Sequence, residues 1–125
     1  MTRHVSIDVF IKGVPYCQDK AKGNKEAAQR WTEAVRQETS NLPKINGMCQ
    51  AEIDFALRAD KYPKDHPHGP DLDNLLKRLF DALNSTVFSE AKGNDGCVVK
   101  LAARKRRVSQ AKPTGARIRL TELDS

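Results

Sequence analysis

The spacing of apolar residues switches between two periods along this chain, and this switching constrains the fold more than any other feature. Apolar side chains recur at every second position, as in half-buried strands, over most of residues 5–11, 48–58 and 116–123, and residues 98–108 are predicted to form a strand that becomes basic in its second half. Apolar side chains recur at every third or fourth position, as in amphipathic helices, over residues 25–39 and 72–84. The order strand, helix, strand, helix, strand, strand predicts an α+β fold, with one domain, a mixed sheet of about four strands and two main helices.

Two local features refine this prediction. The run Pro113-Thr114-Gly115 is typical of a turn, so we expect the last two strands to pair as a hairpin. The only tryptophan, Trp31, lies on the apolar stripe of the first helix. We therefore expect Trp31 in the hydrophobic core and not on a base-stacking surface.

Composition argues against several classes of protein. No apolar run approaches the roughly 20 residues that span a bilayer, and Asp8 comes too early for the apolar region of a secretory signal. The cysteines Cys17, Cys49 and Cys97 form no CxxC or zinc-type pair, so we expect reduced, mostly buried thiols. These features predict a cytoplasmic protein with no membrane-spanning segment.

The charge pattern favours a polyanionic partner. The formal net charge is +6 and the sequence pI is about 9.4. The basic residues include one tight run, Arg104-Lys105-Arg106-Arg107, whereas the acids concentrate between Asp54 and Asp95. A chain that is basic overall and acidic in one region is expected to bind a polyanion and also to hold a cation.

Two acids mark the start of the second helix. Asp71 and Asp73 lie where a loop enters that helix, so both carboxylates can point into one pocket. Mg²⁺ is usually held by one or two carboxylates and substrate phosphate, and such a metal can drive phosphodiester hydrolysis. Lys77, one helical turn beyond Asp73, could reach the same phosphate. Helix capping and an Asp73–Lys77 ion pair are the simpler explanation, and the spacing by itself favours them.

The residues that follow these acids resemble a known family. The run Asp71-Leu72-Asp73-Asn74-Leu75-Leu76-Lys77, continuing through Phe80-Asp81-Ala82-Leu83, resembles the signature of the RusA-type Holliday-junction resolvases, which are crossover junction endodeoxyribonucleases. The run Asn94-Asp95-Gly96-Cys97-Val98-Val99 is similar to that family's acidic pair before a valine-rich strand. The likeness is specific over residues 70–123 and only topological before them.

This resemblance implies a single RusA-like endonuclease domain over residues 1–125. It implies a small homodimeric enzyme that uses Mg²⁺ or Mn²⁺ to resolve four-way DNA junctions. It also implies that Asp71, Asp73 and Asp95 bind the metal and that Lys77 contacts the phosphate or acts in catalysis. We therefore expect the three carboxylates, distant in sequence, to converge on one cation.

The sequence departs from the family pattern near the third acid. The loop between Phe88 and Asp95 is a few residues longer than usual, and Asn94 stands where an acid is common. Glu90 is therefore the rival of Asp95 as the third metal ligand.

Several other residues have both functional and structural interpretations. Asp81 is either a partner that orients Lys77 or a member of a structural salt bridge. His66 and His68 are solvated loop residues more readily than ligands of a hard cation. The basic run Arg104, Lys105, Arg106 and Arg107 is either a phosphate-binding strand or a charged sheet edge, and beside a metal site we favour phosphate binding. Lys20, Lys22 and Lys25 could extend the same surface.

The function predicted from the sequence is Holliday-junction resolution by paired nicks, with metal-activated water attacking the phosphodiester. The assembly would be a homodimer acting on branched DNA in recombination and repair. Two alternatives stay open: a nuclease for other branched DNA such as flaps, and a non-catalytic basic module that binds nucleic acid.

Overall fold

The computed structural model describes residues 5–16, 25–58, 71–109 and 111–123. Within them the predicted α+β class and element order are confirmed. The elements are β1 (Ser6–Lys12), α1 (Lys25–Thr39), β2 (Cys49–Arg58), α2 (Leu72–Leu83), a 3-10 turn (Asn94–Cys97), β3 (Val98–Val108) and β4 (Gly115–Glu122). Each predicted boundary agrees with the observed one to within one or two residues, because side-chain periodicity is a local signal.

The four strands form one mixed sheet in the order β1-β4-β2-β3. β4 pairs antiparallel with both β1 and β2, while β3 runs parallel to β2 at the edge. The predicted hairpin between β3 and β4 is therefore wrong, because β2 lies between them. Ala116, Ile118 and Leu120 are all buried, which suits β4 to the interior of the sheet, whereas most residues of β3 are exposed.

Both helices contribute to one core on one face of the sheet. Val35 of α1 and Leu75 and Leu79 of α2 are fully buried against the apolar face of the strands. Trp31 is only 2% exposed, so its predicted place in the core is confirmed. No described helix is long and apolar enough to cross a membrane.

The helix α2 runs antiparallel to the two parallel strands that flank it in sequence. Just beyond its C-terminal end, the carbonyl of Val87 accepts a hydrogen bond (2.8 Å) from the backbone of Ile45, four residues before β2 begins. The 3-10 turn that leads into β3 lies at that same end. The N-terminus of α2 therefore lies towards the ends at which β2 and β3 finish, as in other strand–helix–strand units.

Two of the three cysteines meet inside this core. Cys49 begins β2 and Cys97 immediately precedes β3, and their sulfur atoms lie 3.9 Å apart as free thiols. Both are buried, as predicted, and Cys17 lies outside the described residues. Burial, reinforced by the neighbouring Cys97, raises the pKa of Cys49 to about 12.

Candidate metal centre and DNA-binding surface

Asp71 occupies the N-cap position of α2 without acting as a side-chain cap. Its backbone is extended (φ −64°, ψ 133°), and its carbonyl accepts the Leu75 amide at 3.1 Å. No side-chain hydrogen bond closes the cap, and the residue is exposed. An N-cap aspartate usually accepts an amide of the first turn. The capping explanation therefore does not account for this carboxylate.

Asp73 and Lys77 follow on the first two turns of the same helix. Asp73 accepts a hydrogen bond (3.0 Å) from the backbone of the adjacent Asn74. Within the described residues, no ion pair joins Lys77 to Asp73 or to Asp81. All three side chains are exposed. An Asp73–Lys77 ion pair therefore does not explain this spacing. The acids and the lysine face solvent in the N-terminal half of α2.

Asp95 lies at the other end of α2, where it forms a reciprocal pair with Asn84. The Asn84 side-chain amide donates to Asp95 Oδ2 at 3.1 Å, and the Asp95 backbone N–H donates to Asn84 Oδ1 at 3.0 Å. Asn84 is the C-cap residue of α2. These two bonds hold Asp95, which is only partly exposed, beside the C-terminal end of the helix.

The expected convergence of three carboxylates does not occur within one chain. Asp71 and Asp73 begin a helix of 12 residues and Asp95 contacts its end, so roughly 18 Å of helix separates them. Ligands of one Mg²⁺ lie on the order of 2 Å from it. Glu90 lies in the turns that follow α2 and cannot replace Asp95. Accordingly, the described residues contain no group of three acidic, His or Cys side chains able to hold a metal.

Asn94, which replaces an acid common in the family pattern, has a structural explanation. Its backbone is left-handed (φ 53°), a conformation that asparagine tolerates. Its side-chain amide donates a hydrogen bond to the carbonyl of Phe88 at 2.9 Å. A carboxylate cannot make that donation, so this longer loop requires the amide.

The side chains of the basic run alternate between the two faces of the edge strand β3. Arg104 and Arg106 extend from the sheet face opposite the helices, where both bind Asp54, at 3.0 and 3.1 Å. Lys105 and Arg107 are in register with Phe55 and Leu57, whose side chains face the core. They therefore extend from the helix side of the sheet.

On the helix side of the sheet, the basic run lies about as far along β3 as the α2 acids lie from the C-terminal end of the helix. β3 begins beside the C-terminal end of α2, and the helix is roughly 18 Å long. A strand advances about 3.3 Å per residue, so the start of α2 corresponds to a point about five residues into β3. That point is Ala103 or Arg104, where the basic run begins. The fold thus brings Asp71, Asp73 and the basic run towards one end of the molecule.

An arginine-rich network on the open face of the sheet was not predicted from the sequence. Arg117 and Arg119 of β4 bind Asp8 of β1, at 3.0 and 3.4 Å, and Arg119 also approaches Glu52 at 3.8 Å. The hydrogen bond from Arg117, with its charge, lowers the pKa of the Asp8 carboxyl. The available signal was that Arg117 and Arg119 alternate with apolar residues on the last strand, which places both arginines on one face. The acids that join them lie on other strands, so strand order was needed to find the network.

Some candidate residues fall outside the described part of the chain. These are His66 and His68, which precede α2, and Lys20 and Lys22, which precede α1. The side chain of Lys25 is likewise not described. Their predicted roles remain predictions.

One comparison with known proteins bears on this arrangement. A family model described as Endodeoxyribonuclease RusA matches residues 9–121, nearly the whole chain. No curated protein gives a significant match. The match includes both acids at the start of α2, Lys77, Asp95 and the whole basic strand.

Proposed function

Because this chain belongs to the RusA endodeoxyribonuclease family, we propose that it is a Mg²⁺-dependent, structure-selective endodeoxyribonuclease that resolves Holliday junctions by paired nicks. The family match over nearly the whole chain is the observation that carries this proposal. Mn²⁺ is the expected substitute for Mg²⁺. Branched DNA is the proposed substrate because the family acts on it.

The exposed acids of α2 support a metal requirement. Asp71 and Asp73 begin the helix with side chains that neither cap it nor form an ion pair within the described residues. Two carboxylates with substrate phosphate are a common way to hold Mg²⁺, and a bound metal would supply charge neutralisation and an activated water. Asp95, the third expected ligand, lies at the opposite end of α2. No catalytic step is therefore assigned to a metal held by one chain alone.

The chain's basic residues have a separate role in this proposal. Lys77 lies one turn beyond Asp73, and its proposed role is to contact the scissile phosphate. Arg104, Lys105, Arg106 and Arg107 would bind the flanking DNA backbone, which gives salt-dependent affinity without sequence preference. Asp54 would orient Arg104 and Arg106 for these contacts. Selectivity would then come from the shape of the junction.

A homodimer is the proposed assembly. Two identical sites related by a two-fold axis could nick two symmetric strands of one junction, and closed two-fold dimers are the commonest protein assembly.

One observation favours a second candidate function. Since the three carboxylates do not converge in one chain, the domain could be a non-catalytic module that binds branched DNA. A panel of labelled DNAs (a four-way junction, a flap and a linear duplex of the same sequence) separates the two when incubated with and without Mg²⁺. The endonuclease cuts the four-way junction only with Mg²⁺, and Asp73→Asn loses cutting but keeps binding. Binding without cutting under all conditions would establish the non-catalytic module, and preferential cutting of the flap would reassign the substrate.

A further inference from the structure

The open face of the sheet, on the side opposite the two helices, has a large excess of positive charge. It carries the four arginines and three acids of the ion pairs described above. Strand register places three further basic side chains on the same face, those of Lys12, Arg58 and Lys100. Basic side chains therefore outnumber acidic ones by seven to three, and most of the chain's net charge of +6 lies here. Such a face is complementary to a polyanion.

One row of in-register residues crosses all four strands of this face. Phe10 on β1 is opposite Arg117 on β4. Arg117 is opposite Asp54 on β2, which in turn is opposite Arg104 on β3. Neighbouring strands lie about 4.8 Å apart, so the row is roughly 14 Å long. It begins with an aromatic ring and continues with alternating positive and negative groups.

Phe10 presents its aromatic ring to solvent at the β1 end of this row. The next residue, Ile11, is fully buried, whereas Phe10 points away from the core and is 39% exposed. Its ring lies against Gly115, because a Cβ added to that glycine would come within 2.8 Å of the ring atom Cζ. A single exposed apolar side chain needs no functional explanation. An exposed ring beside arginines, however, is what an unpaired nucleobase stacks on in proteins that bind single strands.

A shallow cleft of about 310 Å³ lies in the middle of the open face. Its lining includes Glu52, Asp54, Arg117 and Arg119, and the small side chain of Ala102 leaves it open. Guanidinium groups bind phosphates, whereas carboxylates repel phosphates but accept hydrogen bonds from base amino groups. A four-stranded sheet roughly 14 Å wide does not fit the major groove of a duplex, which is about 12 Å wide. The cleft therefore suits a strand whose bases are unpaired.

We propose that the open face of the sheet binds a segment of single-stranded DNA, with one base stacked on Phe10 and the neighbouring phosphates bound by Arg117 and Arg119. Asp8 orients both guanidinium groups, at 3.0 and 3.4 Å. Four-stranded sheets that bind single strands accommodate two or three bases in this way. The site lies on the opposite side of the sheet from α2 and its acids, and it needs no metal. This inference goes beyond the proposed function and does not depend on DNA cleavage.

The stacking contact is tested by fluorescence anisotropy with a labelled oligothymidylate of about ten nucleotides, within the site sizes of single-strand-binding domains. EDTA is present, so the α2 acids hold no metal and no DNA is cut. Phe10→Ala should weaken binding roughly 5- to 150-fold, the range for loss of one stacked base. Phe10→Tyr keeps the ring and should bind like the wild type. Met48→Ala is the matched control, because Met48 is equally exposed (38%) but lies six residues before Asp54, roughly 20 Å from the row.

The phosphate contact is tested by the salt dependence of the same binding. Arg117→Gln should weaken binding and lower the slope of log affinity against log salt by about 0.7, the value for one phosphate contact on a single strand. Arg30→Gln is the matched control. It removes the same charge and one exposed ion pair, with Glu26 at 3.9 Å, but it lies on α1. Its salt slope should equal that of the wild type, and an equal slope in Arg117→Gln would refute the phosphate contact.

Phe10→Trp reports stacking directly. The other tryptophan, Trp31, is buried, so quenching of fluorescence by oligothymidylate reports on position 10. Unchanged fluorescence, or a folded Phe10→Ala that binds like the wild type, overturns the stacking site. Equal quenching by a duplex, or tighter binding of an RNA strand of the same length, overturns the assignment of single-stranded DNA. Since none of these measurements involves cutting, the site and the proposed endonuclease activity can each fail without the other.

Discussion

Asp71 occupies the N-cap of α2 with a carboxylate that makes no capping hydrogen bond. Asp71→Asn should therefore change the free energy of unfolding by less than about 1 kcal/mol, the contribution of a charge near the helix dipole. Cleavage of a four-way junction should fall at least about 100-fold, because even indirect partners of a metal contribute 10–100-fold. Urea denaturation and single-turnover cleavage measure the two effects.

Asp81→Asn is the control for this substitution. Asp81 is exposed on the same helix and lies outside the proposed metal ligands, so the variant should retain both stability and cleavage. A large loss of stability in Asp71→Asn with cleavage intact would show that Asp71 is a structural residue.

The buried Cys49 thiol makes stability depend on pH in the alkaline range. Its pKa is raised from 9.0 to about 12, first by burial and then by Cys97. The folded state thus holds this proton more tightly than the unfolded state does. The resulting stabilisation is complete below pH 9 and is lost as the pH rises from about 9 towards 12. Chemical denaturation at pH 8, 9 and 10 should show a steeper decline for the wild type than for Cys49→Ala; equal declines would contradict this account.

At the scale of elements, β4 approaches β1 so closely that one position requires glycine. Gly115 lies at the start of β4 with φ +153°, and an added Cβ would collide with the backbone carbonyl of Ile11 and the ring of Phe10. Gly115→Ala should lower the free energy of unfolding by about 1–3 kcal/mol, the usual cost of overpacking.

Gly47→Ala serves as the matched variant for this prediction. A Cβ at Gly47 meets no atom within 4 Å, so its effect should stay within about 0.5 kcal/mol. Thermal or urea unfolding of both variants gives the comparison, and equal stabilities would refute the proposed close approach.

The elements were predictable from sequence, but their pairing was not. Alternation within β2 and the apolar stripe of α2 are local signals, so the bounds agreed closely. The turn at Pro113-Thr114-Gly115 is equally compatible with a hairpin and with a crossing over β2. Only the pairing of β4 with both β1 and β2 distinguishes them, and that pairing is a property of the assembled sheet.

The lack of a local signal for strand pairing also explains which part of the site was predictable from the sequence. That Asp71 and Asp73 begin a helix follows from the local sequence. The place of Asp95 follows from the parallel pairing of β2 and β3, which fixes α2 antiparallel to both. Residues before β3 must then lie at the opposite end from residues that start α2. The sequence contained no local signal for that parallel pairing.

At the scale of the whole molecule, the chain has a helix-covered face, an open face of paired arginines and acids, and an edge strand that is apolar in one half and basic in the other. The basic run and the α2 acids lie towards one end, and Asp95 lies at the other. Two chains related by a two-fold axis would present two equivalent ends to one branched DNA. This arrangement matches the requirement for two symmetric nicks.

Cleavage of a supercoiled plasmid with an extruded cruciform is the most direct test of the claim that this protein resolves four-way junctions by paired nicks. Paired nicks across the junction convert the circle into a linear molecule within one binding event. With Mg²⁺ and limiting protein, the account predicts linear product from the cruciform plasmid and none from the same plasmid without the inverted repeat. Intact plasmid after incubation, or equal cutting of both plasmids, would contradict it.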